Sequence, residues 1–174
     1  MNKSSQRIIL TGFMGAGKTT VATELARQLG CRSIDLDQFI TAREGRSISD
    51  IIETDGEARF REIEISALQT ALKENLARVI ALGGGTWTIE KNRALVKAND
   101  CLTVWLNAPF ELCWQRIERE SNPRPLARDK ESTQQLYQQR QASYALAVLH
   151  IQVSEKTPHH IAAEIIKALA GEES

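Results

Sequence analysis

Arg7 to Thr19 reads RIILTGFMGAGKT, and the fold of the chain follows from these thirteen positions. RIILT is an aliphatic, β-branched run of the kind that fills a buried strand. Gly12 to Thr19 matches GxxxxGK[ST] in full, the pattern of a loop that holds phosphate. Its glycines let the backbone curl so that successive N–H groups converge on one anion. After the loop, Val21, Ala22, Leu25, Ala26 and Leu29 recur at helical spacing until Gly30, so a helix N-terminus adds its partial positive charge to the same point. Gly12, Gly15, Ala16, Gly17, Lys18, Thr19 and Thr20 are therefore the expected ATP-binding residues. Lys18 is placed to reach the β- and γ-phosphates, and the Thr19 hydroxyl to bind Mg²⁺.

Working outward, short apolar runs alternate with helical periods along the whole chain. Strands are expected at 33–36, 78–82, 101–106 and 148–153. Helical stretches fill 38–54 and 57–75, punctuated by Gly45 and Gly56, then 88–98 and about 109–119. A polar loop with two prolines spans 121–130, a Gln-rich helix follows, and Thr157-Pro158 starts the last helix. Near-uniformly apolar strands separated by helices predict an α/β fold of three layers, a parallel sheet covered on both faces. One domain, 1–174, accounts for the length. Ligands of such sheets bind beyond the carboxyl ends of the strands. The first three strands end at Gly12, at Asp35-Leu36-Asp37 and at Gly83-Gly84-Gly85.

Composition narrows the partners. The chain has 174 residues, with 22 Lys+Arg against 22 Asp+Glu. A zero balance speaks against nucleic acid and against a polybasic membrane anchor. No apolar run nears the ~18 residues that cross a bilayer, and the N-terminus lacks a leader pattern, so a cytoplasmic location is expected. Cys31, Cys101 and Cys113 fit no metal or redox spacing; Cys101 and Cys113 read as small buried hydrophobes. Trp105 and Trp114 are expected in the core, whereas Trp87, just past the triple glycine, is within reach of the site.

Several side chains stand out against plainer readings. Asp35 and Asp37, two apart in an extended segment, would face the same way; the plainer reading is an acidic turn capping the next helix. Arg61 is either a ligand for an anion or half of an i,i+3 surface pair with Glu64. Gly83, Gly84 and Gly85 remove every side chain where a small substrate could need backbone contact. Arg124, between two prolines, suits a lid over a nucleotide. Arg140 on its Gln-rich helix is a ligand or a solvated cation. The chain lacks the NKxD motif of Ras-type GTPases.

Taken together, Asp35-x-Asp37, Gly45-x-Ser47-Ile48, Gly56-Glu57-x-x-Phe60-Arg61-x-x-Glu64, Leu82-Gly83-Gly84-Gly85, Arg124-Pro125-Leu126 and Arg140-x-x-x-Tyr144 resemble, in order and approximate spacing, the shikimate kinases. The resemblance spans roughly residues 8–150. It implies a P-loop kinase fold with a five-stranded parallel sheet of order 2-3-1-4-5, a lid at about 119–131 and a substrate-binding helical region at about 37–64. It also implies transfer of the γ-phosphoryl of ATP, with Mg²⁺, to the 3-hydroxyl of shikimate in aromatic amino-acid biosynthesis; a monomer is expected, though no sequence feature sets the oligomeric state. In it Asp37 binds substrate hydroxyls and takes the proton, Arg61 and Arg140 grip the carboxylate, and Gly83, Gly84 and Gly85 contact the substrate. Lys18, Asp37 and Arg124 would be catalytic, Arg124 also touching ATP, with Thr19 and Asp35 near the metal. Forked guanidinium groups suit a planar carboxylate. The rivals are a kinase for another hydroxy acid, of quinate or gluconate type, and a nucleotide-binding regulatory module without catalysis. One departure is Ala127, where the family's lid run has a second leucine.

Overall fold

A computed structural model describes residues 6–120 and 129–171. Most of the expected lid, including Arg124, lies outside the described residues. The aliphatic runs form parallel strands β1 (Ile8–Thr11), β2 (Ser33–Asp35), β3 (Val79–Ala81), β4 (Leu102–Asn107) and β5 (Leu149–Gln152). Their order is β2-β3-β1-β4-β5, as the resemblance implies. Ile8 aligns with Val79 on one side and with Leu102 on the other. Every residue of β1 and β3 is buried, which requires helices on both faces and explains why these strands carry no polar alternation.

The covering helices are α1 (Lys18–Leu29), α2 (Leu36–Glu44), α3 (Ile48–Asp55), α4 (Glu57–Lys73), α5 (Glu90–Ala98), α6 (Phe110–Arg119), α7 (Lys130–Tyr144) and α8 (Pro158–Ala170). The apolar stripe of α1, from Val21 to Ala26, packs on α8, which buries Ile161, Ala162, Ile165 and Leu169. Each fully buried aliphatic side chain contributes roughly 1.5–3 kcal/mol. Thr157 caps α8 by accepting from the His160 N–H, with Pro158 in its first turn, the start expected from the sequence. No helix among the described residues is long and apolar enough to cross a membrane.

Local chemistry revises several boundaries. The stretch 38–54 is two helices. Gly45, at φ 69°, ends α2, and a reciprocal Ser47–Asp50 capping box starts α3. The first of them begins at Leu36, because Asp35 caps it: Asp35 Oδ1 accepts from the Gln38 N–H at 3.1 Å. Asp37 therefore sits in the first turn of α2, and the extended Asp35–Asp37 geometry expected from the sequence does not occur. Helix α5 starts at Glu90, after a 3₁₀ turn at Thr86–Thr88. Cys113 is buried as expected, whereas Cys101 is only half-buried. Trp105 lies in the core, but Trp114 is half-buried and stacks on Phe110 instead.

Candidate active site

The phosphate loop runs from the end of β1 into α1. At Gly15 φ is 78°, and a Cβ would lie 2.6 Å from the Cys113 carbonyl oxygen; only glycine takes that conformation in that space. Lys18 Nζ donates to the Gly12 and Phe13 carbonyls at 2.8 and 2.9 Å, which holds the ammonium across the loop. Arg116, on α6, donates to the Gly15 carbonyl at 2.9 Å. The Phe13 ring meets Tyr137 edge-on at 5.2 Å and anchors the loop to α7.

Asp35 performs two tasks at once. While Oδ1 caps α2, Oδ2 accepts a hydrogen bond from the Thr19 hydroxyl. The plainer reading of Asp35 as a helix cap is thus realised, and the cap fixes the direction of the second oxygen, toward Thr19. A hydroxyl and a carboxylate form a hard-oxygen donor set that fits Mg²⁺, which takes its remaining ligands from phosphate and water.

The triple glycine after β3 is the centre of the site. A Cβ on Gly83 would lie 2.7 Å from Asp37 Oδ1, one on Gly84 3.3 Å from an Arg140 nitrogen, and one on Gly85 2.5 Å from an Arg61 nitrogen. The sequence suggests that the glycines leave room for substrate. In the fold, that room is taken by Asp37, Arg140 and Arg61, one facing each glycine. Arg61 does pair with Glu64, at 2.9 Å, and with Glu57, at 3.2 Å. This is no solvated surface pair, since the Glu64 side chain is 1% exposed. Burial works against the Arg61 charge, but Glu64 and Glu57 outweigh it and raise its pKa above the usual arginine value. Arg140 is 8% exposed, so its Gln-rich helix does not leave it in solvent. Trp87 is buried and donates through Nε1 to the Ser143 carbonyl at 3.0 Å, outside both cavities described next.

Two cavities meet here. A cleft of about 400 Å³ runs along the phosphate loop, past Lys18, Thr19, Thr20 and Asp35, to Arg116, Lys156 and Pro158. A smaller cavity of about 130 Å³ is bounded by Arg61, Glu64, Gly85 and Arg140, with Met14, Ile48, Ile52 and Phe60 as its apolar wall. Asp37, Gly83 and Gly84 line both. The arrangement offers a nucleotide cleft, an acceptor pocket with two guanidinium groups, and a carboxylate at their junction, the parts that a phosphoryl transfer between two bound molecules needs.

Sequence reasoning did not single out Glu64 or Arg116 for a role at the site. Nor did it find the apolar wall, whose Ile48, Ile52 and Phe60 have the spacing of ordinary core residues. A buried acid one turn from Arg61 was legible in principle, because Glu64 falls among Ile63, Ala67 and Leu68 on the inward face of α4.

Comparison with known proteins follows the same lines. The shikimate kinase family profile matches residues 14–170. A shikimate kinase of Lactococcus lactis subsp. lactis is 42% identical over 160 residues, covering 91% of this chain and 94% of the relative. Among solved structures, a shikimate kinase from Acinetobacter baumannii in complex with shikimate superposes with a TM-score of 0.89 at 32% identity, covering 98% of this chain and 96% of that one. A gluconokinase from Sinorhizobium meliloti reaches a TM-score of 0.56 at 16% identity, a likeness of fold alone.

Proposed function

The chain belongs to the shikimate kinase family, and from that premise we propose that it transfers the γ-phosphoryl of ATP to the 3-hydroxyl of shikimate, as a cytoplasmic monomer in aromatic amino-acid biosynthesis. The observation that carries this reading is the junction of the two cavities at Asp37, Gly83 and Gly84.

ATP lies with its phosphates on the loop from Gly12 to Thr20, where backbone N–H groups and Lys18 face them. Thr19 and Asp35 would hold Mg²⁺, which would supply charge neutralisation to the β- and γ-phosphates. Arg124, expected from the resemblance to reach the nucleotide, lies outside the described residues. In the second cavity Arg61 and Arg140 hold the acceptor's carboxylate through forked hydrogen bonds. That grip turns a ring hydroxyl toward the junction, where Asp37 accepts its hydrogen bond. The transition state is loose and asks little of a strong base, so Asp37 orients the attacking oxygen and takes its proton late. Positioning provides most of the acceleration, and the apolar wall keeps water out of the acceptor side.

A coupled ADP-release assay run with shikimate, quinate and gluconate in parallel tests the reading. Turnover is expected with shikimate and is expected to stop on chelation of Mg²⁺. Tight ATP binding with no turnover on any acid would instead mark a regulatory module. Turnover on quinate or gluconate alone would replace the acceptor.

A further inference from the structure

Helix α7 carries Arg140 to the acceptor pocket, and one turn later it carries Tyr144, which touches neither cavity. The Tyr144 ring is fully buried, and its hydroxyl donates to the Gly84 carbonyl at 2.6 Å. Gly84 is the middle residue of the glycine turn. A Cβ there would lie 3.3 Å from the Arg140 guanidinium and 3.5 Å from the Met14 amide nitrogen, so this residue is wedged between α7 and the phosphate loop. One residue upstream of the tyrosine, the Ser143 carbonyl accepts from Trp87 Nε1 at 3.0 Å. Two hydrogen bonds therefore tie the end of α7 to the segment Gly84–Trp87.

The tie matters because the Gly84–Gly85 peptide has no Cβ on either side to fix its orientation. A trans peptide holds its N–H opposite its C=O, so whatever fixes the Gly84 carbonyl also fixes the Gly85 N–H. Burial pushes the Tyr144 phenol up to about 12, against the opposing pull of the Arg140 guanidinium, so the hydroxyl stays protonated and remains a donor. The Trp105 ring, 6.1 Å away, flanks the phenol and limits its movement.

We infer that Tyr144 is a positioning residue for the acceptor: its hydrogen bond to Gly84 sets the orientation of the glycine turn and keeps Arg140 in register with Arg61 across the pocket. The role rests on the reading of this pocket as the acceptor site. It predicts an asymmetry between the substrates, since the Tyr144 hydroxyl neighbours Arg140, which lines the acceptor pocket and not the nucleotide cleft, whereas only the Gly84 end of the tie borders both.

The test is Tyr144→Phe, which keeps the buried ring and removes one hydroxyl. Loss of this bond, with the Gly84 carbonyl left unpaired, is expected to raise KM for shikimate about tenfold. The KM for ATP and kcat are expected to stay within about threefold, and calorimetric ATP affinity to match the wild type. An unchanged KM for shikimate overturns the inference. So does a parallel rise in both KM values, which would signal general loosening of the fold. If Tyr144→Phe does not fold, Trp87→Phe carries the comparison through the second tie: a rise of threefold or more in the shikimate KM alone supports it, and no rise overturns it. A wild-type enzyme inactive on shikimate would remove the acceptor reading and this inference together, whereas an active wild type with an unaffected Tyr144→Phe removes the inference only.

Discussion

Asp37 Oδ1 lies 2.7 Å from the point that a Cβ on Gly83 would occupy, so the glycine at the end of β3 and the carboxylate at the start of α2 share one space. Adding a methyl group at 83 forces the flexible carboxylate aside, while the backbone of β3 need not move. Gly83→Ala is accordingly expected to lower kcat about a hundredfold, the scale of a misplacement of about 1 Å at a reacting centre. Its stability should change by less than about 1 kcal/mol. Steady-state kinetics beside urea unfolding would check both halves.

At Gly15 the same methyl group meets backbone instead. A φ of 78° and a Cβ 2.6 Å from the Cys113 carbonyl combine conformational strain with a clash that cannot be relieved by a rotamer. Gly15→Ala should cost at least about 2 kcal/mol in stability and abolish detectable ATP binding, as read by unfolding curves and titration calorimetry.

Removing Arg61 leaves Glu64 charged and buried, with the Thr86 hydroxyl, 2.6 Å away, still donating to it. Arg61→Ala should therefore destabilise by about 2–4 kcal/mol as well as raise KM for the acceptor. The double variant Arg61→Ala/Glu64→Gln keeps the hydrogen bond to Thr86 and removes the stranded charge. It should recover most of the stability and none of the acceptor affinity. Recovery of both would show that Arg61 serves Glu64, not the substrate.

The buried thiol of Cys113 gives the alkaline behaviour a sign. Burial raises it from 9.0 to about 11, despite the neighbouring Lys18 and Arg116 charges, so the folded state binds the proton more tightly than the unfolded state. Its contribution is complete below pH 9 and is lost as pH rises toward 11. Between pH 8 and 10.5 the wild type should lose on the order of 2 kcal/mol through this group, and Cys113→Ala should be spared that portion. Urea midpoints at the two pH values measure the difference.

The sheet, its flanking helices and the phosphate loop were legible because each depends on local order in the chain. β1 is continuous aliphatic sequence, and Gly12 to Thr19 needs its glycines and Lys18 at fixed offsets. The Ser47–Asp50 box and Thr157-Pro158 act through neighbours three residues away at most. Where local signals competed, the sequence misled. Asp35 and Asp37 look like an alternating extended pair, yet Asp35 also caps a helix, and the cap turns the chain before Asp37. Arg61 and Glu64 have the spacing of a surface pair, and only the packing of α4 takes Glu64 out of water.

The amino-acid sequence by itself determined the phosphate loop, the parallel α/β architecture and the identity of the charged groups, since those follow from spacings within single elements. The tertiary structure alone decided that Asp37, Arg140 and Arg61 would each face one glycine of the same turn. These groups come from α2, α7 and α4, and no local interaction links them. Their convergence is fixed by the sheet order, which sets β3 between β2 and β1 and so brings the glycine turn between the helix after β2 and the phosphate loop after β1. Long-range packing closes that arrangement, so it leaves no periodic trace in the sequence.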